Sequence, residues 1–175
     1  MKSDVRVSGN RLQITRVFDA PRHLVFGWWT QAEKLQQWSG CKEATRCEVV
    51  MDFRIGGSFT QKMQIAVHGG TCEFLLNGTY DEIVKPEKIV YRAHFGPAVV
   101  RVIVEFFEQG TGTKVVLTHE GCPDEMFCKT VSQGTSESLD KLESLVASQA
   151  LVTPRRSTAI GDNCFGEQPW TSPTK

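Results

Sequence analysis

The chain has no surplus of charge, no long apolar run and none of the compact motifs that mark common catalytic and metal sites. Twenty basic and twenty acidic side chains cancel, so charge gives no support for nucleic acid or an anionic membrane as the main partner. No window approaches the length of a membrane span. Met1-Lys2-Ser3-Asp4 leads into alternating residues rather than an apolar leader, which makes the cytoplasm the default location. Gly56-Gly57 and Gly69-Gly70 lack the spacing and following helix of a phosphate loop. Neither a Gly-x-Ser-x-Gly elbow nor a His-Glu-x-x-His helix occurs. His23, His68, His94 and His119 make no ligand pattern. Cys41, Cys47, Cys72, Cys122, Cys128 and Cys164 are too scattered for a disulfide framework. Cys41/Cys47 and Cys122/Cys128 each enclose five residues, a wider spacing than zinc sites use. Reduced, packed thiols are expected, with no metal and no cofactor.

What the chain does have is patterning. At 175 residues it fits one domain with a sizeable core. Residues 123–149 organise it. There Val131, Thr135, Leu139, Leu142 and Val146 recur at spacings of four, four, three and four, one apolar stripe of a long helix. Pro123 suits a first turn, and Asp124 and Glu125 face the positive end of the helix dipole. Lys129, Glu137, Asp140, Lys141 and Glu143 fall mostly off the stripe and should be solvated. Gly134 breaks a local rule, because a mid-helix glycine costs about 1 kcal/mol relative to Ala. The expectation is that something approaches the helix closely there.

Upstream, Arg11–Phe18 reads as a strand that Pro21 stops. Residues 22–30, crowded with Leu24, Val25, Phe26, Trp28 and Trp29, read as a short buried helix. Thr30-Gln31-Ala32-Glu33 is a capping-box pattern that starts a second helix, ending near Trp38. The tryptophans pack these helices on the sheet, with Trp38 best placed to reach the interior. Residues 46–53 form a short apolar run, and Gly56-Gly57 a turn or bulge. Residues 58–67 alternate cleanly, Phe59, Met63, Ile65 and Val67 against Thr60, Lys62 and Gln64. Strands at 71–84 (with Gly78 a bulge), 88–95, 99–108 and 113–120 follow at hairpin spacing. Grouped antiparallel strands followed by a helix make an α+β fold of about seven strands. Residues 10–150 form the domain. Beyond Val152 the composition turns to Pro, Gly, Ser and Thr, so 151–175 reads as a tail that Phe165 or Trp170 could dock.

Several stretches carry a resemblance: Arg16-Val17-Phe18-Asp19-Ala20-Pro21, Val25-Phe26 with Thr30, and Leu35 with Trp38. Asp52-Phe53-Arg54-Ile55-Gly56-Gly57-Ser58-Phe59 and Gly78-Thr79-Tyr80-Asp81-Glu82-Ile83 follow. Pro86-Glu87-Lys88-Ile89-Val90, Gly112-Thr113 and Thr118-His119-Glu120-Gly121 complete the series. In this order, over about residues 10–150, they resemble the START-like (SRPBCC, helix-grip) superfamily. Within it the chain is similar to the family named after the activator of heat-shock-protein-90 ATPase. The resemblance implies a curved antiparallel sheet wrapped on the long C-terminal helix, two short helices after the first strand, and a cavity between sheet and helix. Two positions depart from the family pattern. Thr135 stands where the family helix carries Trp after Gly134, which implies a larger or more polar cavity. Ser39 replaces a second aromatic after Trp38.

On that reading Trp38, Phe59, Met63, Tyr80, Tyr91, Val104, Phe106, His119 and Thr135 are candidates to face a ligand, with Ile65, Val102 and Leu117 on the same faces. The alternative for each is plain core. His119 shares a strand face with Val115 and Leu117 and is either a satisfied structural residue or a donor or acceptor toward a ligand. Asp52 and Arg54 share one face of an extended segment. They form an ion pair bracing the Gly56-Gly57 bend, or Arg54 orients a carbonyl or carboxylate at the cavity mouth. The leading expectation is a cytosolic module that binds a small hydrophobic or lipid-like molecule, homodimeric by analogy alone. One alternative is an enzyme of the polyketide cyclase/dehydratase kind, in which at least two of His119, Tyr80, Arg54 and Asp52 converge on the cavity and move protons. Another is a module that stimulates a chaperone ATPase through its outer surface. Eukaryotic activators pair this domain with a further N-terminal one, for which the chain has no room.

Overall fold

Alternating apolar residues make strands, and in the computed structural model of the chain, which describes residues 2–152, eight of them form one sheet. The chain runs β1 (Asp4–Ser8), β2 (Arg11–Phe18), α1 (Arg22–Thr30), α2 (Ala32–Trp38), β3 (Ala44–Met51) and β4 (Ser58–Val67). It continues through β5 (Gly70–Val84), β6 (Lys88–Phe95), β7 (Ala98–Gln109), β8 (Gly112–Glu120) and α3 (Glu125–Val152). The sheet order is β1-β2-β8-β7-β6-β5-β4-β3, every pair antiparallel. The fold is α+β with a long C-terminal helix, as the strand grouping predicts. No helix among the described residues is long and apolar enough to cross a membrane. The expected tail at 153–175, with Phe165 and Trp170, lies outside the described residues.

The eighth strand, β1, is absent from the sequence reading. Its Val5 and Val7 are 40% and 42% exposed and alternate with polar residues over only five positions. A short, polar strand at the end of a sheet carries little apolar signal and protects the edge from further pairing.

Local corrections have physical reasons. Thr30 does not cap α2. It ends α1, its hydroxyl donating weakly to the Gly27 carbonyl at 3.5 Å, and extended Gln31 occupies the cap position without a side-chain bond. Asp124 lies before α3 rather than in its first turn, and its Oδ1 accepts the Phe127 N–H at 2.7 Å. That is N-cap chemistry. Gly78 is not a bulge; it pairs in register with Phe59 and Ala93, and the irregularity falls between Tyr80 and Glu82. A Cβ on Gly78 would lie 2.6 Å from the Phe59 ring and 2.1 Å from the Arg92 carbonyl oxygen, so the ring lies over bare backbone.

The core divides the long helix into two halves. On its C-terminal half Leu139, Leu142 and Val146 are fully buried. The first two helices cover the neighbouring part of the sheet, where Phe106 meets Phe26 and Trp29, each ring pair 5.2 Å apart. Trp28 Nε1 donates to Gln149 Oε1 at 2.9 Å, tying α1 to α3. Arg16 shares the inner face of β2 with Leu12, Ile14 and Phe18, and its side chain is 1% exposed. It pairs with Asp140 and, at 2.8 Å, with Glu143 on α3. These two acids are therefore partners of a buried cation rather than wholly solvated. On the N-terminal half Val131, Gly134 and Thr135 are only half-buried.

Candidate functional site

Between the N-terminal half of α3 and the sheet lies a hollow of about 690 Å³. Its floor comes from the inner faces of four successive strands and β8. On β4 these are Phe59, Gln61, Met63 and Ile65; on β5, Phe74, Leu76 and Tyr80. Strand β6 adds Ile89, Tyr91, Ala93 and Phe95, and Val102, Leu117 and His119 complete it. Period two explains the selection, since each strand sends every second residue inward. Helix α3 supplies the roof through Phe127, Val131, Gly134, Thr135 and Ser138. Trp29, Leu35 and Trp38 close one side.

Of the residues expected to face a ligand, Trp38, Phe59, Met63, Tyr80, Tyr91, His119 and Thr135 line this hollow. Val104, Phe106 and Arg54 are not among its lining residues. Val104 and Phe106 are 0% and 1% exposed, the latter packed under α1. Arg54 is 70% exposed and pairs with Asp52 at 2.7 Å, the bracing arrangement beside the Gly56-Gly57 bend. There Gly56 N donates to Tyr80 O and Tyr80 N to Gly57 O, so the bend grips the strand that carries Tyr80.

The aromatic side chains hold one another in place. Phe59 sits 5.3 Å from Tyr80 and 5.2 Å from Tyr91, Trp29 sits 4.6 Å from Trp38, and Phe95 sits 5.2 Å from Phe127. Edge and tilted contacts at these separations favour fixed ring positions. Trp38 Nε1 is satisfied by the Trp28 carbonyl at 3.0 Å, so it presents its ring rather than a free donor. Burial pushes the phenol pKa values of Tyr80 and Tyr91 up, and Tyr91 adds to the shift at Tyr80. Both stay neutral.

His119 is the basic group in the floor, 4% exposed. Burial lowers its pKa from 6.5 to about 4, so the imidazole is uncharged at neutral pH. Its Nδ1 is buried without a hydrogen-bond partner. An unsatisfied buried polar atom costs about 1–3 kcal/mol; this one is enclosed by protein, so a guest in the hollow meets the rest of the imidazole edge.

The rim carries acid. Cys41, Glu43 and Glu137 place their ligand-type atoms within 4.8 Å of one another. Glu137 already accepts the Lys42 backbone N–H at 3.0 Å and a Gln133 amide N–H at 3.1 Å. The first of these holds its carboxyl below the ordinary range. Glu43 lies 3.6 Å from the Lys42 ammonium. These engagements make the trio part of the α3-to-loop seam. The five described cysteines are free thiols. Burial and the neighbouring Cys128 push the Cys122 thiol up to about 12, so it is unreactive.

Sequence reasoning missed Phe74, Leu76, Phe95 and Phe127. The first pair had a signal in hairpin register, since Phe74 faces Met63 and Leu76 faces Gln61 across the turn at His68-Gly69-Gly70. Phe127 is fixed only by the helix entry at Asp124.

Comparison with known proteins agrees with this architecture. A solved structure from Chromobacterium violaceum superposes with a TM-score of 0.71 at 25% identity, covering 78% of this chain and 96% of that one. One from Rhizobium leguminosarum gives 0.64 at 25% identity, covering 85% and 99%. The AHSA1 protein of Silicibacter pomeroyi shares the fold, with a TM-score of 0.68 at 19% identity over 79% and 99%. No curated protein is significantly similar to the chain. The family model for "Activator of Hsp90 ATPase homolog 1-like protein" matches residues 19–147, from the end of β2 nearly to the end of α3, and the chain belongs to that family.

Proposed function

We propose that the chain binds a small, largely apolar molecule between the sheet and α3. The observation that carries this reading is the hollow of about 690 Å³ walled by aromatic and aliphatic side chains under the N-terminal half of α3, where Val131, Gly134 and Thr135 are only half-buried. Small-molecule sites typically span about 300–1,000 Å³, mostly apolar with a few placed polar groups. His119, Tyr80, Tyr91 and Thr135 are polar groups of that kind. Native mass spectrometry of the purified protein, followed by thermal shift against apolar probes, tests it. A ligand at a hundred times its Kd adds about 2.7 kcal/mol of stability. No retained mass and no shift from any probe would remove the proposal.

One observation favours a second reading, proton-transfer catalysis of the polyketide cyclase kind: His119 and Tyr80 line the same hollow. Against it, His119 with a pKa of about 4 is a weak base at neutral pH. Asp52 and Arg54 are paired with each other away from the hollow. This reading requires turnover of a linear poly-β-carbonyl substrate, lost in His119→Gln while binding persists.

A further inference from the structure

The hollow has an electrostatic character that its apolar walls do not by themselves require. Among the described residues that line it, none is Lys or Arg, and the charged ones are Glu43 and Glu137. Lys141, one turn beyond Glu137 on α3, gives its ammonium to the Gly40 and Cys41 carbonyls at 3.0 and 2.7 Å. Lys42 lies toward Glu43. The floor offers the imidazole edge of His119, a residue 4% exposed whose Nδ1 is enclosed by protein and whose remaining edge lines the hollow. A carboxylate brought inside would lose its water and find no cation among the lining residues. Lys42 and Lys141 at the rim are already engaged with Glu43 and with the Gly40 and Cys41 carbonyls. An uncharged hydroxyl or carbonyl would lose less water than a carboxylate and gain a hydrogen bond at the edge of the imidazole that lines the hollow. Ring walls at Trp38, Phe59, Tyr80 and Tyr91 suit a flat guest.

Resting on the binding reading above, we infer that the hollow selects uncharged, flat ring systems bearing a hydroxyl or carbonyl that meets His119, and rejects carboxylates, fatty acids among them. The recognition uses uncharged polar groups, His119 foremost, set in walls without a cation. Its neutrality comes from burial of the imidazole and from walls that hold no Lys or Arg.

Three probes with the same ring test this by fluorescence titration of the intact chain at pH 7.5: 1-methylpyrene, 1-pyrenemethanol and 1-pyrenecarboxylate. The expected result is binding of the first two, the alcohol tighter, with the carboxylate weaker than the alcohol by at least about tenfold. In His119→Phe the alcohol loses its advantage over 1-methylpyrene, while 1-methylpyrene still binds. A carboxylate as tight as the alcohol overturns the selectivity and leaves the binding reading standing. An alcohol advantage that survives His119→Phe overturns the role of His119. Failure of all three probes removes the binding reading itself. If His119→Phe does not fold, the carboxylate-to-alcohol ratio of the unaltered chain still decides.

Discussion

Replacing Gly134 by Leu should make the protein more stable and worse at binding. The two effects come from one geometric fact. A Cβ built on Gly134 meets nothing within 4 Å, and the residue lies in the roof of the hollow. The glycine therefore has no close neighbour to accommodate, contrary to the expectation that something approaches α3 there. Glycine inside a helix costs about 0.8–1 kcal/mol against a good helix former, and here no clash opposes recovering it. At the usual scaling for a domain of this size, that raises Tm by about 2–4 °C. The new side chain enters space a guest would fill. Overpacking of that kind costs about 1–3 kcal/mol, which is roughly five- to hundredfold in affinity. Gly134→Ala should show the same stability gain with a smaller loss of binding. Thermal melts without ligand and 1-pyrenemethanol titrations read both quantities. A drop in Tm would mean the helix is packed against something at Gly134. A rise in Tm with unchanged affinity would place the guest elsewhere.

Other perturbations test other parts of the argument. His119 stays neutral in the fold down to about pH 4 but protonates from about 6.5 when unfolded, so protons favour the unfolded chain between those values. Stability is full above pH 6.5 and falls by about 3 kcal/mol toward pH 4 from this group; urea midpoints of His119→Phe should decline less over that window, and equal slopes would refute burial of a neutral imidazole. Gly78→Ala forces a Cβ into the Arg92 carbonyl and the Phe59 ring and should cost at least about 2 kcal/mol in chemical denaturation; a neutral result would mean that both the ring and the β6 backbone at Arg92 give way. Arg16→Met removes the guanidinium from Asp140 and Glu143, but these side chains are 66% and 32% exposed and rehydrate, so the loss should be nearer about 2 kcal/mol than the larger cost of breaking a fully buried pair. Asp124→Ala removes the bond to the Phe127 N–H and should lower stability by about 1 kcal/mol, measurable as earlier fraying of α3 in hydrogen exchange.

The fold was legible wherever one residue in two, or three and four, is apolar. The run of Phe59, Met63 and Ile65 and the stripe through Leu139, Leu142 and Val146 place β4 and α3 without reference to anything distant. Reading failed where a charged residue occupies an apolar position. Arg16 follows Leu12 and Ile14 at the same spacing and precedes Phe18, so period two puts it inside. Its charge argues for water, and the conflict is resolved by distant partners, chiefly Asp140 and Glu143, three apart on α3. That pairing spans more than a hundred residues and leaves no local trace.

The site was less legible, because periodicity names a face and says nothing of position along it. Val102, Val104 and Phe106 all point inward from β7, yet Val102 lines the hollow while Phe106 lies under Phe26 and Trp29. What separates them is where α1 ends its footprint on the sheet, a property of helix placement rather than of β7. The void itself has even less signature, since a cavity is defined by what does not pack. Gly134 is the local exception. A mid-helix glycine has two physical causes, a close neighbour or a vacancy, and propensity arguments alone cannot separate them. Set where α3 is only half-buried, with nothing within 4 Å of where its Cβ would lie, it marks a vacancy. The chain accepts about 1 kcal/mol of helix instability there, and a structure that needed only stability would have no reason to keep it.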